Sequence, residues 1–401
     1  MIHQLLLSVL LWQAPSFIEQ SIATANEEIA KEPNRTEGYN DLAIALVRKF
    51  RQTGDMSYAV KAEAVIAKSL KLDPVDFGAR RARVAVWSAQ HRYEDTLEEA
   101  EALRKQRPDD NPIYGFISEA NIAIGNYAEA EKAVQRMLDL RSVNGPGFEA
   151  GATVRELIGF PDAAIDWWKS SLNLVSDRDI EERAYIYSQM ARIYRETGKY
   201  ASGVECAEQA LKLEPGDPLA VLELARLRLE QKQPEAAIAL LGKRGDAASL
   251  YWLAVAQERA GLPAEAGVAF EKRARAESDS PMNVNSLLIR YLADNGKAQE
   301  AVAMAEGFLK RRHDLFTRQA YAIALAKAGK PEQAMEQIRK AMEPGYLDVR
   351  LYFDAGMIAR QRNDTEAAAR YFRKAFELGS GGFYSGEILK QLGSLSNSSE
   401  N

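Results

Sequence analysis

Only one cysteine, Cys206, occurs in the 401 residues, so no intramolecular disulfide can hold the chain together. It lies in GVECAEQALKL, a helical pattern in which a thiol is an inert, half-buried side chain rather than a nucleophile. Histidine is nearly as scarce. His3, His91 and His313 stand far apart, without ligand-spaced Cys, His or Glu, so no zinc signature is present. No apolar run reaches the roughly 18 residues that a membrane-spanning helix requires. Positive charge is not in excess either: 52 Lys and Arg face 57 Asp and Glu, for a net charge of −5. That balance argues against duplex nucleic acid and anionic membrane surfaces as partners. P-loop, nucleophile-elbow and metalloprotease motifs are missing as well. GPGFEAG (145–151) has the glycines of a nucleotide loop but the wrong spacing and no strand before it. RRARVAVW (80–87) and KRRHD (310–314) read as short, solvated charge clusters.

What the chain does contain is a repeat. KSLKLDP, ending at Pro74, has a near copy in QALKLEP, ending at Pro215. Between and beyond them, glycines recur in one setting: Gly125 (GNYAEA), Gly159 (GFPDAA), Gly198 (GKYASG), Gly261 (GLPAEA), Gly296 (GKAQEA) and Gly329 (GKPEQA). Lys232 and Asn363 continue the series, and His91 takes the same place in an earlier unit. The period is about 34 residues, the length of a helix-turn-helix unit. Tyr187, Met190, Ala191 and Tyr194 share one face of a first helix, and Gly203, Ala207, Ala210 and Leu211 the facing side of a second. Glycine breaks the chain between the two, and proline stops the second by withholding a backbone donor.

Small residues are locked to that phase. Ser118, Ala152, Ala191, Ala225, Ala254, Ala322 and Gly356 precede the break at one fixed place, and Ala43 takes the equivalent place in the first unit. Ala130, Ala164, Gly203, Ala237, Ala266, Ala301, Ala334 and Ala368 follow it at another. Such pairs let facing helix backbones approach closely. Val84, Thr96 and Ile289 depart from the rule, so looser packing is expected in their repeats.

The spacing, the small-residue pair and the closing proline resemble the tetratricopeptide repeat (TPR), over about residues 16–378. The resemblance implies an all-α, right-handed α-solenoid of about ten stacked units, with a half repeat before them. YNDLAIALVRKFRQTGDMSYAVKAEAVIAKSLKLDP, VRELIGFPDAAI and DVRLYFDAGMIA are similar to a group of bacterial TPR proteins, often exported, of unassigned function. That group usually reads Tyr-His-Ala-Gly-Met-Ile in the last motif. Phe353 and Asp354 stand there instead, and no role for a histidine is carried over. The polar code positions of RNA-reading pentatricopeptide arrays are not regularly filled. No three consecutive repeats supply the residues of the chaperone-tail clamp found in some TPR domains.

In the family, first helices line the concave groove. One groove-facing position holds Ile44, Ala85, Glu119, Thr153, Arg192, Arg226, Val255, Arg290, Ile323 and Met357. Arg195 lies one turn beyond Arg192, with Tyr185 and Tyr251 nearby, while Glu119, Glu149 and Glu156 occupy earlier repeats. A divided groove is therefore expected, acidic in repeats three and four and basic in repeats five to eight. The basic part suits a protein or peptide partner with an acidic or C-terminal segment, whose carboxylates arginine grips with two parallel hydrogen bonds. The alternative is that these long polar side chains merely solvate an inner helix face. The functional expectation is a non-catalytic scaffold without cofactor or metal, the alternative being a peptide or small-molecule receptor. Trp168 reads as core, as do Trp87 and Trp252, and Trp167 is open to a contact role.

The expected layout assigns residues 1–15 to a signal peptide or N-terminal helix, 16–176 and 177–378 to the two halves of the array, and 379–401 to a capping helix with a polar tail. The apolar run Leu5–Trp12 fits a cleaved leader, which favours export, although no Lys or Arg precedes it. Without cleavage the segment becomes a packed helix in a cytoplasmic protein. SDRDIEE (176–182) holds extra residues before repeat five, with Asp179 and Glu182 at capping-box spacing.

Overall fold

The structure is a computed structural model that describes residues 16–278 and 285–398. The expected leader at residues 1–15 lies outside them, as does the end of the polar tail from residue 399. Among the described residues there are 22 α-helices and no strand. A half repeat, α1 (Phe17–Lys31), is followed by ten pairs in chain order and a capping helix, α22 (Ser385–Ser398). The protein is an all-α solenoid. None of its described helices is long and apolar enough to cross a membrane.

Two compact units divide between Val86 and Trp87. The first contains α1, α2 (Glu37–Thr53), α3 (Met56–Leu72) and most of α4 (Phe77–Ala89). Ser16 opens α1 by accepting from the Glu19 N–H at 3.3 Å. A polar chain ties the next three helices together. The Ser69 hydroxyl donates to Asn40 (2.7 Å), Asn40 to Asp76 (3.2 Å), and Asp76 accepts from the Ala79 N–H (2.6 Å).

The second unit runs from α5 (Tyr93–Gln106) to α22. Its first helices are α6 (Asn111–Ala123), α8 (Gly145–Leu157), α10 (Ile180–Glu196), α12 (Pro218–Glu230), α14 (Ala247–Arg259), α16 (Ser286–Asp294), α18 (Leu315–Lys327) and α20 (Val349–Gln361). Their partners are α7 (Tyr127–Leu140), α9 (Pro161–Leu172), α11 (Tyr200–Leu213), α13 (Pro234–Leu241), α15 (Ala266–Ser278), α17 (Ala298–Leu309), α19 (Pro331–Met342) and α21 (Thr365–Gly379). Asx caps start most first helices, including Asp179, which accepts from the Glu182 N–H at 3.3 Å. The inter-helix glycines of this unit all have φ between 71° and 90°. His91, Lys232 and Asn363 adopt φ of 59°, 59° and 60° at the same place, so the turn dictates the conformation even without glycine.

Both sets of small residues are buried. Val84, Thr96 and Ile289 are fully buried too, so the expected looseness takes no visible form. The departure costs a hydrogen bond instead, because the enclosed Thr96 Oγ1 has no partner. Trp168 is core, as expected. Trp167 is partly covered and lies where a Cβ on Gly151 would be. Phe148 meets its ring edge, and the Arg155 guanidinium stands 5.6 Å from its centroid.

The second unit holds together as one body because distant repeats touch. The His313 N–H donates to the Ala123 carbonyl (3.0 Å), and the Leu315 N–H to the Tyr127 hydroxyl (2.9 Å). A Cβ on Gly159 would lie 2.5 Å from the Gly345 carbonyl oxygen. Leu157 shares a continuous apolar core with Tyr251, Leu288, Tyr346 and Phe372. The expected boundary at residue 176 is therefore interior to this unit. KRRHD also proves to be more than solvated charge: Arg312 pairs with buried Asp314 at 2.7 Å, Asp314 caps α18, and His313 makes the long-range backbone bond.

Candidate functional site

The arginines singled out in the sequence converge, but each meets a carboxylate from its own chain. On α10, Arg192 makes a bidentate pair with Glu156 of α8, which is 3% exposed. One turn on, Arg195 (5% exposed) donates to Glu223 of α12 at 2.8 Å and to Glu196 at 3.0 Å. Arg226 donates to the other Glu223 oxygen at 2.8 Å. Arg290 of α16 grips Asp354 of α20 through two bonds, 2.6 and 2.9 Å, and Gln319 adds a third to Asp354 at 2.9 Å. A divided groove does not result. Its acidic and basic parts meet in the Glu156–Arg192 pair, and helical spacing places Glu223 three residues before Arg226 on the same face. Glu149 accepts from the Ser171 hydroxyl at 2.6 Å.

The two tyrosines part company. Tyr251 is 5% exposed, accepts from Arg350 at 3.0 Å and packs edge-on against Trp252 and Phe270. Tyr185 is 43% exposed, with its ring set edge-on to Trp168 at 6.0 Å.

Segments around repeat ten complete the cluster. Tyr346, just before α20, donates its hydroxyl to Glu196 at 2.6 Å. Asp348 caps α20 by accepting from the Leu351 N–H at 2.7 Å, and Phe383 donates its N–H to Glu230 at 2.8 Å. Burial dominates the titration of these groups. It lifts Glu156 to about 8, helped by neighbouring Glu196 and opposed by Arg192. Burial works on Glu196 too, but Arg192 and Arg195 on either side outweigh it and hold that carboxyl below its ordinary value. Burial and Glu196 push Asp348 up to about 6. Glu223, enclosed yet flanked by Arg195 and Arg226, falls to about 2.

Sequence reasoning missed Glu196, Glu223, Tyr346, Asp348, Arg350 and Asp354. A signal was available for some of them. Glu156, Glu223 and Asp354 fall on helix faces that otherwise carry buried apolar residues, and an acid at a buried phase needs a cation. Which cation it meets depends on how its repeat stacks on another, about one period away for Glu156 and Glu223 and two for Asp354, which a local pattern does not encode. Among the described residues no cluster of His, Cys, Asp and Glu could hold a metal ion.

Stacked helical hairpins with small-residue crossings and a first-helix face carrying the conspicuous side chains define a helical-repeat protein. Residues 188–245 and 320–382 match the tetratricopeptide repeat family. No curated protein matches the sequence. Among solved structures, the human IFIT1 dimer with m7Gppp-AAAA is 16% identical, with a TM-score of 0.51 over 81% of this chain and 77% of that one. A thermophilic TPR protein of Thermus thermophilus is 20% identical, covering 47% of this chain and 99% of its own, at a TM-score of 0.41. Yeast Tom70 is 12% identical, covering 89% and 96%, at a TM-score of 0.38. At these identities the likeness is one of fold.

Proposed function

We propose that this chain is a non-catalytic scaffold that seats a segment of a protein partner on its first-helix faces. The observation that carries this reading is Tyr185. It is a large aromatic side chain, 43% exposed on a first helix, with its ring set edge-on to buried Trp168. Exposed, rigidly placed aromatics are the usual anchors of protein interfaces. Met357, at the groove-facing position of α20, is also exposed. The alternative, a receptor whose groove closes on a peptide or small molecule, needs inner-face cations available to the ligand. Here Arg192, Arg195, Arg226 and Arg290 are already engaged, which favours the scaffold.

The test is a crosslinking pull-down from the native cell with wild type and Tyr185→Ala. The same partner should be recovered by wild type and depleted at least several-fold with the variant, whose melting temperature should be unchanged. Equal recovery would remove Tyr185 and the face around it from the proposal. Export belongs to the same reading, and N-terminal sequencing of the mature protein decides it.

A further inference from the structure

Arg350 differs from the other interior arginines. It lies on α20 and donates to the Tyr251 hydroxyl, yet no carboxylate pairs with it among the described residues, and its Nε is enclosed without a hydrogen-bond partner. The Nε of Arg226 is enclosed and unpartnered in the same way, because its terminal nitrogen alone reaches Glu223. Both guanidiniums stand over the Trp252 ring, Arg226 at 4.6 Å and Arg350 at 5.6 Å from its centroid. The three side chains line a cavity of about 30 Å³ together with Arg195, Glu196, Leu229, Glu230, Asp348, Val349, Phe383 and Tyr384.

The carboxylates on that wall are occupied elsewhere. Glu196 serves Arg192, Arg195 and Tyr346, Glu230 accepts from Phe383, and Asp348 caps α20. Burial, together with Arg195 and Arg350, depresses the Arg226 guanidinium below its ordinary value, while nearby Tyr384, Tyr251 and Asp354 hold Arg350 above its own against burial and Arg290. A buried cation without a carboxylate partner is costly, and Arg350 meets Arg226 on the wall of this one space, where a counter-charge would serve both.

From this geometry we propose that the cavity between Arg226 and Arg350 is a binding site for one small monovalent anion, of the size of chloride or formate. Its volume sets the limit, since a single water needs roughly 10–15 Å³ and the space holds about two. Bound there, the anion bridges α12 to α20 and so fastens repeat six to repeat ten. The site is independent of the scaffold reading, because it needs no protein partner and lies away from Tyr185.

The experiment compares thermal unfolding in sodium chloride, sodium formate and sodium gluconate at matched ionic strength, for wild type and Arg350→Met. An anion that binds only the folded chain raises the melting temperature with the logarithm of its concentration. Wild type should show that rise in chloride and formate over gluconate, and Arg350→Met should not. Line broadening of the chloride NMR signal by the wild-type protein, reversed by formate, is the companion measurement should the variant fail to fold. Identical melting of wild type in all three salts, with no line broadening, would mean water alone fills the cavity and would overturn the proposal. A chloride-specific rise that persists in Arg350→Met would place the anion elsewhere and overturn it equally.

Discussion

At the scale of single residues, the left-handed turns and the buried acids carry the clearest consequences. Lys232 is exposed and holds φ at 59°, a conformation that costs a side-chain-bearing residue about 1–2 kcal/mol and glycine nothing. Lys232→Gly should therefore stabilise the protein by about 0.5–1 kcal/mol after glycine's own entropy loss, read as a higher urea midpoint. Glu156 makes a pH prediction. Its carboxyl sits at about 8 in the folded chain against 4.5 when unperturbed, so the folded state binds a proton that the unfolded state has released. The stability it contributes is complete below about pH 4.5 and is lost as pH rises toward 8. Replacing Glu156 with Gln should flatten the fall in urea midpoint across that window. Parallel wild-type and variant profiles would show that Glu156 is ionised throughout. The turn glycines could be read from sequence because each turn demands its conformation locally. The partners of Glu156 and Asp354 could not, because each stands on another repeat and is met only when the repeats stack.

At the scale of helices and their crossings, the small residues decide the packing. Ala191 is fully buried in a cluster with Ala207, Leu224 and Leu227, and Gly203 approaches the Ala191 carbonyl closely. A leucine in place of Ala191 has no room, and should cost about 1–3 kcal/mol by overpacking. An unchanged melting temperature would contradict the repeat register. Gly159 tests a longer contact. Its φ of 90° and its approach to the Gly345 carbonyl both exclude a side chain, so Gly159→Ala should destabilise by about 1–3 kcal/mol. The loss should appear as faster hydrogen exchange around residues 344–349 as well as in the mutated turn. Helix starts, turns and crossings were all legible in the phase of glycine, alanine and Asx caps, since one repeat specifies each of them. The seam of His313 with Ala123 was not, because it is a backbone bond in which the histidine side chain takes no part.

At the scale of the whole molecule, the arginine-bearing faces work inward. Converting Arg192, Arg226 and Arg290 to Gln together, an obvious way to probe a basic groove, would take Glu156 and Asp354 from their cations and leave Glu223 with Arg195 alone. It would unfold the chain before it reported on binding. That is why Tyr185 is the better probe of partner binding. The ion pairs join one repeat to another, and the Arg290–Asp354 pair, 64 residues apart, spans the greatest sequence distance among those of the candidate site. A double-mutant cycle on this pair, Arg290→Met, Asp354→Leu and both together, followed by urea unfolding, tests the internal lattice most directly. The lattice predicts that each single change costs about 3–5 kcal/mol by leaving a buried charge unpaired, and that the double change costs much less than their sum. Single costs that add to within about 0.5 kcal/mol would mean that the two groups do not meet in solution, and would contradict the account.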